Sequence, residues 1–228
     1  MASPSSAPVA EPVAPDGAAS TSASSAAPVR PPRAAAVIRP LDGDAGDSAG
    51  GGDSAGGGAG GGSSQFFQVR AKGRKFAYVV DCSGSMSGEP FRKACAELLA
   101  SIQALKPNQS FFVVFFSDRA FPQFYPAADQ RLLRANRANK QSIATWIGGF
   151  QWSGGTDPTE AITQALALRP DAIYLLSDGE FDPGVADQVR MKNTHRTAVH
   201  TIAFMDRVAE PLLERIAQEN HGTYRFVP

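Results

Sequence analysis

Residues 77–86 read AYVVDCSGSM: four apolar or aromatic residues run into Asp81, and Ser83 and Ser85 follow on alternate positions. A turn from strand to helix needs one capping hydroxyl, so a carboxylate with two hydroxyls is more oxygen than the backbone requires. Two further oxygen-bearing residues stand in turn-like sequence, Thr156 in GGTDP and Asp178 in LLSDG. Together Asp81, Ser83, Ser85, Thr156 and Asp178 offer carboxylate and hydroxyl oxygen, and neither sulfur nor imidazole. That donor set suits a hard divalent cation, Mg2+ or Mn2+ before Zn2+. Mg2+ takes six oxygens at ~2.0–2.1 Å and gives up water reluctantly. Three hydroxyls with one or two carboxylates fill most of such a sphere and leave a place for water or an incoming carboxylate. Gly84 allows the close approach that a chain curling around an ion needs.

For these residues to meet, their elements must deliver them to one place. Residues 76–80 read as a buried strand, and residues 90–105 as a helix with apolar positions at helical spacing, Pro90 in its first turn and Pro107 beyond its end. Residues 110–116, SFFVVFF, form a continuous apolar strand suited to a sheet covered on both faces. Pro122 restricts residues 121–125 to an edge strand or loop. Residues 129–148 read as one or two helices. Asp157, Pro158 and Glu160 read as N-cap, first helical position and capping-box partner of the next helix. Residues 172–176 form a strand, 184–192 a helix, 198–204 a strand, 210–220 a helix closed by His221 and Gly222, and 223–227 a last strand. Strands alternating with helices give a mostly parallel sheet between helix layers. Ligands of such sheets collect at the carboxyl ends of the strands, where the winding reverses. Asp81 and Asp178 each end a strand, so neighbouring strands at the reversal would bring them to one crevice, with Thr156 delivered by the loop before its helix.

DCSGS, then the Thr of GGT, then LSDG, in that order and at those intervals, resembles the von Willebrand factor type A (vWA) domain, whose metal-ion-dependent adhesion site has the pattern DxSxS…T…D. The likeness covers about residues 74–228, and all five positions match. It implies an α/β three-layer sandwich of Rossmann-like kind, with one antiparallel edge strand on the central sheet. It also implies a Mg2+ that coordinates an acidic side chain of a partner protein. On that likeness Ser83, Ser85 and Thr156 are direct or near-direct ligands, and Asp81 and Asp178 bind directly or through water. With few insertions, the chain is similar to the small bacterial members of the family. The expectation is a non-catalytic, cation-dependent binding module whose partner presents Asp or Glu. Met86, Trp152 and Phe181, close to the metal loops in sequence, are expected to rim the site as apolar contacts.

Two rival functions carry their own residues. Ser85, Asp178 and His221 follow the chain order of an α/β-hydrolase triad, but Gly84-Ser85-Met86-Ser87-Gly88 puts Met86 where the elbow nucleophile belongs. Phosphoryl transfer through Asp81 lacks a second carboxylate two residues on, where Ser83 stands. A structural scaffold with a vestigial site is the third reading. His195 and His200 read as surface and core positions, Cys82 as core, and the row Arg131, Arg134, Arg137 and Lys140 as a solvated helix face.

Composition divides the 228 residues unevenly. Ala, Gly, Ser and Pro make up almost three-quarters of residues 1–64, and no aromatic residue precedes Phe66. Such a segment cannot offset its chain entropy by burial and is expected to be a disordered tail with a reach of roughly 40 Å. It holds DSAGGG twice from Asp47, and a short apolar piece at residues 36–38. Residues 65–228 suffice for one domain with one core. With 22 basic and 22 acidic residues the chain has no charge to suggest a nucleic-acid partner. Its 2 cysteines supply neither a disulfide framework nor a zinc set. No signal-peptide pattern or membrane-length apolar run is present in the sequence, so the cytoplasm is the expected compartment.

Overall fold

The computed structural model describes residues 62–151, 154–179 and 181–228. These begin with a hairpin that the sequence does not announce, β1 (Ser63–Phe66) paired antiparallel to β2 (Val69–Lys72). Its turn puts Phe67 at φ 44 and Gln68 at φ 62, a left-handed pair that usually requires Asn or Gly. Tertiary contacts supply what the local sequence lacks. The Phe67 N–H donates to Glu97 Oε1 over 3.0 Å, and the Phe67 ring lies 5.2 Å from that of Phe204. The hairpin takes in Ser63 and Ser64, which composition alone assigns to the tail. Ser64 is buried and its hydroxyl is satisfied there, 2.9 Å from Tyr78 Oη, which lies 2.8 Å from Ser101 Oγ.

Strand β3 (Lys75–Asp81) is the centre of the main sheet, and α1 (Glu89–Ala104) returns the chain to β4 (Ser110–Phe116). β4 then carries two short antiparallel partners on its outer side, β5 (Ala120–Pro122) and β6 (Leu133–Arg134). After α2 (Arg137–Gly149) and α3 (Thr159–Ala167), β7 (Ala172–Ser177) joins β3 on its other side. Then α4 (Gly184–Lys192), β8 (Ala198–Phe204), α5 (Glu210–Glu219) and β9 (Tyr224–Val227) complete the sheet in the order β5-β4-β3-β7-β8-β9. β3, β4, β7, β8 and β9 are mutually parallel. This is the expected three-layer α/β sandwich with a mostly parallel sheet.

Alternate residues of each central strand feed two cores, as period-two side-chain geometry requires. Phe111, Val113 and Phe115 pack with α1, α2 and the hairpin, whereas Phe112, Val114 and Phe116 pack with α3, α4 and α5. No helix among the described residues is long and apolar enough to cross a membrane.

Three local expectations are corrected. Residues 129–136 are not helical: Leu133 pairs with Phe111 and the Ala135 N–H donates to Gln109 O, keeping the chain extended up to Asn136. There the Asn136 side chain accepts from the Asn139 N–H over 2.8 Å and starts α2. The basic row is therefore divided between elements. Arg131 pairs with Asp129 at 2.8 Å, while Lys140 Nζ donates to the Gln103 and Leu105 carbonyls, satisfying the end of α1. The capping box does not close either. Asp157 Oδ1 accepts from the Thr159 N–H, yet α3 starts at Thr159 with Pro158 in the cap position, and Glu160 turns away to accept from the Ala120 N–H of β5 over 3.0 Å.

Candidate metal centre

The winding reverses at β3. The chain moves from β3 to β4 on one side and later returns to β7 on the other. Because all three strands are parallel, their carboxyl ends share one edge. Val80 pairs with Leu176, so Asp81 and Ser177 emerge beside each other, with Asp178 next. Asp81 is wholly buried; its Oδ1 accepts from the Ser83 N–H over 2.8 Å and its Oδ2 from the Ser177 hydroxyl over 2.6 Å. Ser83 Oγ lies 3.1 Å from Ser85 Oγ, and the Ser85 hydroxyl donates to Asp178 Oδ1 over 2.9 Å. Four of the five expected residues thus form one hydrogen-bonded chain.

Thr156 arrives by a different route. The Gly84 N–H donates to Gly154 O over 3.1 Å, drawing the loop before α3 against the serine loop. A β-carbon built on Gly179 would stand 3.5 Å from Thr156 Oγ1, so Thr156 lies against the turn that carries Asp178. Exposure is graded across the set. Asp81 and Ser83 are buried, Thr156 and Asp178 are half-buried, and Ser85 is exposed. The oxygens therefore open to solvent on the side of Ser85, Thr156 and Asp178.

Burial pushes the Asp81 carboxyl up to about 6, with the hydrogen bonds from Ser177 and Ser83 opposing. Asp178 is also raised by burial, with Ser85 opposing and the Asp206 charge adding to the rise. The Asp178 charge adds to the rise at Asp81, as expected of two carboxylates gathered at one strand edge. Among the described residues no three His, Cys, Asp or Glu side chains converge on a metal-sized site. The set here is two carboxylates and three hydroxyls, whose hard-oxygen chemistry fits a Mg2+-type ion. Cys82 turns inward between them, its Sγ 3.1 Å from the Phe116 carbonyl, and burial raises its thiol pKa far above the usual range. It is a core residue, as read from the alternation.

Met86 and Phe181 do not form the expected apolar rim. Met86 is wholly buried: its N–H donates to Ser83 O and its carbonyl accepts from the Phe91 N–H, which rolls the side chain under the loop into the core. Phe181 is 8% exposed and packs into the opposite core with α4. Trp152 lies outside the described residues. The triad fails on topology. Asn220 O accepts from the Val199 N–H, placing neighbouring His221 at the amino ends of the strands, the opposite edge from Ser85 and Asp178. Ser177 escaped the sequence reading, although a hydroxyl immediately before Asp178, at a strand end, was a usable signal.

The family model for the von Willebrand factor type A domain matches residues 75–226. Human inter-alpha-trypsin inhibitor heavy chain H4 is 27% identical over 173 residues, spanning 68% of this chain and 18% of the relative. A von Willebrand factor A domain-containing protein of Dictyostelium discoideum is 26% identical over 161 residues, spanning 67% and 17%. The chain thus spans under a fifth of the length of these relatives. Among solved structures, a von Willebrand factor type A protein from Catenulispora acidiphila matches with a TM-score of 0.61 at 20% identity, covering 70% of this chain and 40% of that one. Proximal thread matrix protein 1 of the mussel byssus, solved with a zinc-occupied MIDAS motif, matches with a TM-score of 0.51 at 18% identity, covering 67% and 40%. At these identities the structural likeness is one of fold.

Proposed function

The chain belongs to the von Willebrand factor type A domain family, and from that premise we propose that it is a divalent-cation-dependent protein-binding module that captures a partner's Asp or Glu. Domains of this family generally mediate protein–protein interaction, and some members depend on a metal at this motif. A fold alone does not assign a function, so the reading rests on the site. The observation that carries it is the chain of oxygens from Asp81 through Ser83 and Ser85 to Asp178, with Thr156 against the same turn.

Asp81, Ser83, Ser85, Thr156 and Asp178 would hold Mg2+ or Mn2+. The bound ion would supply a positive centre short of a full coordination shell, which a carboxylate oxygen of the partner completes. Asp81 sits deepest and offsets the ion's charge, while Ser85 and Asp178 stand at the solvent side, where a partner arrives. Ser85 donates to Asp178, but His221, the third member a hydrolase triad would need, lies at the opposite edge of the sheet, which favours the binding reading over turnover. Titration calorimetry with Mg2+ and with Mn2+ tests this: wild type should take up one ion and Asp81→Ala none, with an unchanged far-ultraviolet circular dichroism spectrum. Equal uptake by the two proteins refutes the proposal.

A further inference from the structure

Among the described residues three large apolar side chains are exposed, and two of them, Met205 at 50% and Val208 at 49%, stand on the loop between β8 and α5. That loop leaves the carboxyl end of β8. Ser177 pairs with Ala203, so the segments that follow β7 and β8 leave neighbouring strands at one edge, which sets the loop of Met205 and Val208 beside the turn that carries Asp178. The Asp206 charge bears on Asp178, in keeping with that proximity.

The loop is held in one shape. Met205 adopts φ 66, a left-handed conformation that L-residues avoid, and its N–H donates to Val227 O over 2.8 Å. Asp206 Oδ1 accepts from the Val208 N–H over 2.9 Å. Arg207 grips Glu210 with two hydrogen bonds of 2.8 and 3.0 Å and lies 3.8 Å from the centre of the Phe226 ring. A pinned loop offers its apolar side chains to a partner with little ordering left to do. An unusual backbone kept at an exposed apolar residue points toward use rather than stability.

We infer that Met205 and Val208 form an apolar subsite beside the candidate metal centre, filled by a bulky apolar side chain two or three residues from the carboxylate of a protein partner. This rests on the cation-dependent reading given above. The spacing follows from the sheet. From β3 to β8 is two strand intervals, about 10 Å, which an extended peptide crosses in about three residues. The exposed carboxylates of Asp182 and Asp206 border the same edge and select a partner segment that also carries a basic residue.

The test uses the full chain with Mg2+ and capped peptides containing one Glu and one Lys, with Leu or Ser placed two or three residues from the Glu. Fluorescence polarisation should show the Leu peptides binding about tenfold more tightly than the Ser peptides. The Met205→Ser/Val208→Ser protein should lose that preference while taking up the ion like wild type. Glu peptides that bind in Mg2+ with no preference for Leu, or a preference that survives the double substitution, overturn the subsite and leave the metal reading standing. Failure of every Glu peptide to bind the ion-loaded protein overturns both. If sedimentation shows self-association of the full chain that the double substitution abolishes, a second copy occupies the patch and the inference falls.

Discussion

The Ser85 hydroxyl donates to Asp178 Oδ1 across 2.9 Å, joining two loops 93 residues apart in the chain. Nothing in either loop's local sequence requires the contact; it follows from β3 and β7 being parallel neighbours whose ends coincide. The arrangement is a preorganised one, since the oxygens are already gathered by hydrogen bonds among themselves. Ser85→Ala is expected to lower Mg2+ affinity by about tenfold or more, whereas Ser85→Thr, which keeps the hydroxyl, should retain most of it. Calorimetric titration of the three proteins checks this, and equal affinities for Ala and Thr would remove the hydroxyl from the site.

Ser177 holds Asp81 Oδ2 from a wholly buried position, 2.6 Å away. Removing a hydrogen bond that orients a ligand typically costs ~10–100-fold in metal affinity. Ser177→Ala is therefore expected to weaken Mg2+ binding within that range while the protein still melts cooperatively. An unchanged titration curve would show that Asp81 needs no such support.

The fold favours the neutral form of His200. It is buried, its Nδ1 accepts from the Thr223 N–H over 3.1 Å, and burial holds its pKa below the usual histidine range. The unfolded chain then binds a proton at this position more readily than the folded one. The stability this contributes is full above the unfolded pKa of about 6.5 and is lost as pH falls through it toward the lower folded value. Between about pH 7.5 and pH 5.5, wild type should lose more unfolding free energy in urea than His200→Gln, which cannot titrate. Parallel losses in the two proteins would contradict the assignment.

Gly222 closes α5 where a β-carbon would overlap the Val199 carbonyl of β8. The contact is with backbone, so no rotamer change relieves it. Gly222→Ala should destabilise the fold by roughly 2–3 kcal/mol and lower Tm by ~4–12 °C. A melt within a degree or so of wild type would mean that the helix end shifts freely.

The main sheet was legible because β4 and β7 are nearly continuous apolar runs and β8 is an apolar segment interrupted by His200 and Thr201, and all three appear within a residue or so of their expected limits. The convergence of Asp81, Ser83, Ser85 and Asp178 could be read because carboxylates and hydroxyls that no turn requires stand at the ends of β3 and β7, which are neighbours in the sheet. What escaped depended on distant contacts. Phe67 and Gln68 turn a hairpin with no glycine because Glu97 and Phe204 hold Phe67 and Arg225 holds Gln68. β6 is two residues long and exists through its pairing with β4. Met86 lies one residue beyond Ser85 in sequence, yet a single turn separates an exposed hydroxyl from a buried thioether. Proximity along the chain was a poor guide to exposure at the site, because Met86 and Phe181 are both drawn into the cores beside it.

The Gln109 amide donates to the carbonyls of Ser63 and Gly73, fastening the start of the hairpin beside the residues that precede β3 and β4. The described chain therefore sets out from the pole of the molecule opposite the carboxyl ends. A sensor surface or resin coupled directly at the amino ends of β3 and β4 would leave the oxygen-lined face pointing into solution. Coupling through surface lysines would orient it at random, so the first geometry is the one in which a captured ligand meets an unobstructed approach.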